Sequence, residues 1–329
     1  MNNFVDLLRR AAALWWRTRI LWPLGMLAAL FGSGDLAVNG NVNVQQRVFV
    51  SDPAAMPPWL DDLAESPLLR SFVDNPWPYV IGFLLLAAGL GLIGMLVGVI
   101  AHGAMIRVAD MADQGYQASI GDGLRTGAAR AMPLFLLNLI VTLPLIVGVA
   151  IVTGMIAMVV LGVLRAAIGG SELDPAPLFA SALGTIFCSI GIIILISIIS
   201  VVLGVLLRVA QRVCVIEARG PLESLGRGWA LIRQNLGLTL LTWLLQAVLG
   251  GLTSFILSLP AVGMGLSVTF TILQGGAFPV GLVIALVLYA LFVNVVAGGL
   301  LTAFNSALWT VMYRAFAGHE RPPESYAPA

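Results

Sequence analysis

The longest stretch without a charged side chain, Gln234 to Tyr313, most constrains the fold of this chain. It contains 80 residues, whereas about 20 apolar residues are enough for a helix to cross the hydrocarbon of a bilayer. A soluble domain has roughly 25% charged residues, but this chain has 10%, together with 59% hydrophobic residues. We therefore predict an all-α, polytopic transmembrane helical bundle that lipid solvates along much of its length.

Shorter uncharged runs mark three further spans of one helix each. They cover residues 75–106, 131–164 and 175–207. Pro260 and Gly263 break the longest stretch once, and Gly275, Gly276 and Pro279 break it again. This predicts one helix over 236–259 and another over 280–313. Residues 263–278 would form an apolar extracytoplasmic loop, which either stays at the surface or re-enters the membrane. A third crossing there is the alternative, and it would place the C-terminus outside.

The first predicted span, residues 20–34, is short and contains Pro23. Arg17 and Arg19 precede it, so a cleaved signal peptide is an alternative interpretation. Three tryptophans favour a retained helix, because they form an aromatic interface belt; they are Trp15, Trp16 and Trp22. The prediction is then about six transmembrane helices.

Arginine placement predicts the orientation. All 17 basic residues are Arg, and 14 of them fall on the side that holds both termini, against three on the other side. Because cytoplasmic segments are enriched in positive charge, we expect a multi-pass protein of the cell inner (plasma) membrane with both termini cytoplasmic. The three exceptions are Arg47, Arg70 and Arg165.

Similar residues recur at an offset of 101 positions. The run Arg107-Val108-Ala109 matches Arg208-Val209-Ala210, and Gly127 matches Gly228. This indicates three copies of one unit, each with a cytoplasmic amphipathic helix followed by two membrane helices, as parallel two-helix repeats. Chance matching in an Ala/Gly/Leu-rich sequence is the alternative. The single membrane domain 1–329 would comprise an N-terminal unit, 1–107, with extracytoplasmic loop 33–77, helix pairs 108–208 and 209–318, and a cytoplasmic tail, 319–329.

The segment after Gly220-Pro221 has the spacing of an amphipathic helix. Its apolar residues are three or four positions apart, so they share one face, and Pro221 suits the first helical position. We predict that this interfacial helix binds the membrane surface or a partner, with arginines on lipid phosphate. The predicted surface consists of Leu222, Leu225, Arg227, Trp229, Ile232 and Arg233. An ordinary packed cytoplasmic helix is the alternative.

Two other segments have similar stripes. One consists of Phe4, Leu8, Ala11 and Trp15, and a weaker one consists of Ile120, Leu124 and Ala131. Ser119 with Asp122 suits the start of the second of these helices.

The predicted extracytoplasmic segment is acidic, with six carboxylates against two arginines in residues 33–77. Residues 41–50 alternate like a short strand, and an apolar set could line a short helix: Trp59, Leu63, Leu69 and Phe72. The segment would cap the bundle or, alternatively, dock a partner.

The stretch Glu217 to Asn235, EARGPLESLGRGWALIRQN, resembles a cytoplasmic-loop motif of bacterial six-helix membrane proteins of unknown function. These are similar to the membrane domain attached to some glycerophosphoryl diester phosphodiesterases. The resemblance implies a helical membrane domain with interfacial helices and carries no activity over. The catalytic barrel of such an enzyme needs a further soluble domain, and no segment here is long or polar enough.

Residues with catalytic or metal-binding chemistry are scarce. The two histidines are His102 and His319, and no HExxH, P-loop or GxSxG pattern occurs. Cys188, in an apolar run, and Cys214, in an arginine-rich loop, are predicted to be inert thiols. Net charge is +1, which does not favour nucleic acid as a partner. We predict no catalytic residue, metal or cofactor.

Spans 2 to 6 are predicted to hold no ionisable side chain apart from His102. Their polar residues are amides and hydroxyls, and the amides are Asn138, Gln246, Asn294 and Asn305. The preferred interpretation is hydrogen bonding between helices; the alternative is a polar path through the membrane. The Gly94–Gly98 pair is typical of close helix packing.

These features predict a non-enzymatic scaffold, accessory or assembly subunit of a membrane complex. Its partners would be membrane lipids and other membrane-protein subunits. The main alternative is a permease or channel for a lipid or small apolar solute. A membrane-embedded enzyme acting on lipid is the least supported, because no base, nucleophile and metal-ligand set converges in the sequence.

Overall fold

A computed structural model of the protein describes residues 4–31, 77–168, 175–274 and 280–318. Ten α-helices lie in these ranges: α1 Phe4–Arg17, α2 Leu21–Leu30, α3 Trp77–Asp113, α4 Ile120–Ala129, α5 Ala131–Ile168, α6 Pro175–Ile216, α7 Pro221–Gln234, α8 Leu236–Leu273, α9 Val280–Phe292 and α10 Gly298–Phe316. A π-helical segment, Val293–Ala297, joins α9 to α10. The described residues contain no strand.

Five helical segments are long and apolar enough to cross a membrane: α3, α5, α6, α8 and the continuous α9–α10. The prediction of an all-α polytopic bundle is therefore confirmed. The sixth apolar segment is α2, which has only 10 residues. At a rise of 1.5 Å per residue it is about 15 Å long, roughly half the thickness of the hydrocarbon.

Local signals predicted the beginnings of several helices correctly. The Oγ atom of Ser119 accepts a hydrogen bond from the backbone N–H of Gly121 and so caps α4, with Asp122 in its first turn. Pro221 occupies the first turn of α7 after Gly220, where its missing N–H leaves no carbonyl unpaired.

The predicted break at Pro260 and Gly263 is wrong. Helix α8 continues through both residues to Leu273, and α5 likewise contains Pro144 in its interior. Lipid cannot hydrogen-bond the backbone groups that a broken helix would expose, so the helix continues through the proline. Neighbouring side chains and small backbone adjustments satisfy the few groups that proline leaves unpaired. The predicted loop is thus helical up to residue 273, and residues 275–279 lie outside the described ranges.

Two helices also run further than predicted. Helix α3 ends at Asp113 and α6 at Ile216, so Arg212 and Cys214, expected in a loop, are helical. Both are buried: Arg212 is 1% exposed and Cys214 is 0% exposed. Both lie beyond the predicted span, 175–207, so the expectation that His102 is the one ionisable side chain in the later spans stays a prediction.

The short helices α1, α4 and α7 form what we call the short-helix layer. Helix α4 packs on α3, α7 packs on α6, and α1 packs on α10, the last of the described helices. A short helix followed by two apolar helical segments occurs three times in the described residues. Helices α4 and α7 thus each contact the long helix that precedes them, whereas α1 contacts α10. The internal sequence repeat itself stays a prediction.

Small residues allow this close packing. A Cβ atom at Gly127 of α4 would lie 2.3 Å from the carbonyl oxygen of Ile100 in α3. A Cβ atom at Gly228 of α7 would meet the backbone nitrogen of Ala210 in α6 at 3.3 Å. Glycine at these two positions lets the short helices approach the backbones of α3 and α6.

The core of the described chain lies next to the short-helix layer. In α10 nearly every side chain from Thr302 to Tyr313 is buried, and α1, α2, α3, α6 and α8 all contact this helix. Farther from the layer, large apolar side chains are exposed, as expected for a surface that faces lipid. They include Leu85, Ile194, Phe255, Val287 and Phe292.

The predictions for the acidic segment and for the tail fall on residues 32–76 and 319–329. Both ranges lie outside the described residues.

Candidate functional site

A cluster of buried charges joins α1, α3 and α10. The Nε and Nη2 atoms of Arg10 donate to the two carboxylate oxygens of Asp113, both at 2.6 Å. The Nη1 atom of Arg314 donates to Asp110 at 2.9 Å, and its Nε atom lies 3.3 Å from Asp113. Both carboxylates have side chains that are 1% exposed. The cluster thus connects α1, α3 and α10.

Two further groups complete this cluster. Arg107 lies 3.3 Å from Oδ2 of Asp110, and Gln114 donates to the same oxygen at 3.0 Å. A buried carboxylate is stable only when its oxygens are paired, and Asp110 is paired on both. Sequence analysis missed this cluster. The available signal was the spacing of Asp110 and Asp113, three positions apart at the end of an apolar helix.

A second ionic group surrounds Glu217, at the turn between α6 and α7. The hydroxyl of Tyr313 donates to Oε1 of Glu217 at 2.5 Å, and Arg219 lies 2.7 Å from Oε2. Arg227 is farther away, at 3.8 Å. The same turn contains Ala218 with a φ of 58°, a left-handed conformation that is uncommon outside glycine. The Tyr313 hydrogen bond holds the turn between α6 and α7 against α10.

A chain of hydrogen bonds links α3, α6 and α5. The Nε2 atom of His102 lies 3.0 Å from Oε1 of Gln211, and Nε2 of Gln211 donates to Oδ1 of Asn138 at 3.0 Å. An amide oxygen can only accept, so this contact fits a His102 ring that has a proton on Nε2. Asn138, a candidate for a polar path, is therefore used in bonding between helices.

Gln246, another amide of the predicted path, accepts two hydrogen bonds. Trp309 donates its indole N–H to Oε1 of Gln246 at 2.7 Å, and Nη1 of Arg208 donates to the same oxygen. The guanidinium carbon of Arg208 also lies 5.8 Å from the centre of the Trp309 ring, within range of a cation–π contact. Nearby, Arg212 donates to the backbone oxygens of Arg208 and Ser306, at 2.6 and 3.3 Å.

The other two amides differ sharply from each other. Asn294 is exposed, and its Nδ2 atom donates to the carbonyl of Ala290 in its own helix. Asn305 is 2% exposed, and neither Nδ2 nor Oδ1 has a hydrogen-bond partner among the described residues. The four predicted path residues therefore do not form one continuous line.

The predicted surface on α7 divides between two faces of the helix. Leu222 is 72% exposed and Trp229 is 45% exposed, and Arg233 is exposed beside them. Leu225 is half-buried and Ile232 is buried. Arg227 is half-buried next to Glu217. The face that packs inward carries Ser224, Gly228, Leu231 and Ile232.

The stripe predicted on α1 lies on its packed side: Ala11 is buried, and Phe4, Leu8 and Trp15 are half-buried against the core, next to buried Leu7 and Leu14. On α4 the buried residues are Gly123 and Gly127, whereas Leu124 is half-buried and Ile120 is exposed. Sequence patterns emphasised large apolar residues, but close contact with a neighbouring backbone requires small ones.

The three predicted belt tryptophans form one aromatic cluster. Ring centres of Trp15 and Trp22 are 5.7 Å apart, and Trp16 lies 6.0 Å from each of them. Trp15 also contacts Phe304 of α10, edge to face, at 5.9 Å. The cluster joins α1 and α2 to the last helix.

Within the described ranges, no group of three or more His, Cys, Asp or Glu residues is placed to hold a metal ion. Cys188 is exposed on α6, whereas Cys214 is buried. Comparison of the chain with protein-family models, with curated proteins and with solved structures found no match. The resemblance of residues 217–235 to six-helix membrane proteins stays a prediction.

Proposed function

We propose that the protein is a non-enzymatic scaffold or assembly subunit of a membrane complex. In this proposal it lies in the cell inner membrane with both termini cytoplasmic, and the exposed face of α7 binds the inner-leaflet surface or a membrane partner. We call this face the α7 surface; it consists of Leu222, Trp229 and Arg233.

The observation that supports the proposal is how the polar side chains are used. Asp110, Asp113 and Glu217 pair with arginines, and Asn138 and Gln246 bond between helices. Their role is therefore to hold helices together. The α7 surface, in contrast, presents two large apolar side chains and a cation outward, a combination that suits the boundary between headgroups and acyl chains.

The same observation favours a scaffold over a permease. A path would need amides that face a common cavity, but Asn138 and Gln246 bond to side chains of other helices and Asn294 is exposed. Bonds of this kind between membrane helices are worth about 0.6 kcal/mol each on average. They contribute to a defined arrangement of the helices.

Replacing residues of the α7 surface tests the proposal. Trp229→Ala combined with Arg233→Gln removes the main apolar contact and one positive charge. Arg227 is left intact because it lies close to Glu217. We expect the same amount of membrane-inserted protein but loss of the lipids or proteins that co-purify with it in mild detergent, measured by mass spectrometry.

Gln234→Glu is the matched control. Gln234 is exposed next to Arg233, and the change also lowers the net charge by one. It should leave the co-purifying set unchanged. If the double variant retains the same set as the control, the α7 surface is not the binding surface.

A further inference from the structure

One face of the central helix α10 is polar although it is buried. Thr302, Asn305 and Trp309 are three or four positions apart, so they lie on the same side of the helix. All three are at most 2% exposed. Trp309 contacts Arg208 of α6 and Gln246 of α8. The backbone oxygen of Ser306 accepts a hydrogen bond from Arg212 of α6. These contacts show that α6 and α8 lie opposite this face.

Hydrogen-bond donors of α6 and α10 meet at one amide oxygen of α8. A single oxygen, Oε1 of Gln246, receives N–H groups from both Arg208 and Trp309. Arg212 donates to two backbone carbonyls. A guanidinium group has five N–H donors in a planar fork, a geometry that matches a ligand with several acceptor oxygens.

Asn305 provides an independent observation. Its amide nitrogen and amide oxygen are buried and have no hydrogen-bond partner among the described residues, and the same holds for Oγ of Ser306. Buried polar groups are normally paired, and each unpaired one destabilises the fold unless something else bonds to it. Two adjacent unpaired groups on α10, next to the partners of Arg208, indicate a place for a polar ligand.

We propose that Asn305, Ser306 and Arg208 bind a phosphate group between α6, α8 and α10. The amide N–H₂ of Asn305 and the hydroxyl of Ser306 donate to its oxygens, and the guanidinium of Arg208 supplies the opposite charge in a geometry that phosphate matches. Trp309 lies seven residues before the end of α10, or about 10 Å along the helix. The group belongs either to a phospholipid that enters between helices or to free phosphate.

Thermal unfolding in lipid nanodiscs tests the proposal and separates the two sources. In one arm, nanodiscs of phosphatidylcholine are titrated with inorganic phosphate. In the other, phosphatidylglycerol replaces part of the phosphatidylcholine in phosphate-free buffer. We expect the unfolding midpoint of the wild type to rise by about 5 °C in one arm, as for a ligand well above its Kd. The responding arm identifies the source.

Asn305→Leu removes the donor and replaces it with an apolar side chain of similar length, and it should abolish the rise. Asn294→Leu is the matched control, because Asn294 is an exposed amide of the same segment, and it should respond like the wild type. This pair distinguishes the buried site from lipid binding at the α7 surface, which both variants retain.

Asn305→Asp is the second variant in case Asn305→Leu does not fold. It places a carboxylate at the site and should therefore raise the midpoint without added anion and abolish the response. The proposal is overturned if the wild type responds in neither arm, or if both Asn305 variants respond as the wild type does. It does not depend on the scaffold function.

Discussion

Arg10 and Asp113 are 103 positions apart in the chain and form a two-pronged ion pair, with both N–O distances at 2.6 Å. The side chain of Asp113 is 1% exposed and that of Arg10 is 15% exposed. The pair fastens the short helix α1 to the end of the membrane-spanning helix α3, where Arg314 of α10 also contacts Asp113.

Removing this carboxylate should strongly destabilise the bundle. Asp113→Ala leaves Arg10 and Arg314 without a shared acceptor in a buried place, and breaking a buried pair in this way costs about 3–5 kcal/mol. The free energy of unfolding in mixed micelles measures the loss. Asp122→Ala is the control, because Asp122 is exposed and its helix-terminal charge contributes about 0.3–1 kcal/mol. Equal losses in the two variants would contradict a stabilising role for the buried pair.

A glycine series should show where the short helices touch their neighbours. Gly127→Ala places a Cβ atom 2.3 Å from the carbonyl oxygen of Ile100, and overpacking of this kind costs about 1–3 kcal/mol. Gly226→Ala, in open space on α7, should instead be neutral or stabilising by up to about 1 kcal/mol, because alanine favours the helix. Thermal unfolding compares them. A Gly127→Ala protein as stable as the wild type would show that α4 lies farther from α3.

Cysteine labelling should place α4 and α7 on the same side of the membrane. Asp122→Cys and Glu223→Cys, each in a Cys188→Ser background, put one exposed thiol on each helix, while Cys214 stays buried. We expect a membrane-impermeant maleimide to label both only after the cells are permeabilised. Labelling of one thiol in intact cells would exclude both the orientation and the repeat scheme.

Gln211 is the central residue of the hydrogen-bonded chain that runs from His102 to Asn138. Its side chain should contribute more to stability than an exposed hydroxyl does. Gln211→Leu removes the hydrogen bonds to both neighbours, for a loss of about 1 kcal/mol at 0.6 kcal/mol per bond. Ser197→Ala is the control, because the Ser197 hydroxyl is exposed and bonds to its own helix. The free energy of unfolding in detergent should fall more for Gln211→Leu than for Ser197→Ala. The reverse order would show that these hydrogen bonds do not stabilise the contacts between helices.

Local chemistry made part of this fold predictable. Uncharged runs located the long helices, and the capping serine at position 119 and the proline at position 221 marked the beginnings of α4 and α7. These signals act within a few residues and need no knowledge of distant contacts. The same local reasoning failed at Pro260, because the rule that proline ends a helix comes from helices in water.

The candidate sites could be predicted only in part. The exposed side of α7 was included in the predicted surface together with Ile232 of its inward side. The other inward residues were not predicted, in part because packing there also uses the small residues Ser224 and Gly228. The ion cluster was missed because its partners are far apart in sequence: Arg314 bonds to Asp110 across 204 positions. No pattern within a window of one helix contains such information.

The contact between α3 and α10 also has a consequence for biogenesis. A ribosome makes α3 long before it makes Arg314, which follows Asp110 by 204 positions, so both Asp110 and Asp113 lack one of their cations during that time. A nascent chain that stalls before residue 314 keeps these carboxylates incompletely neutralised. It would therefore present quality-control proteases with an unfinished membrane protein rather than with a smaller folded one.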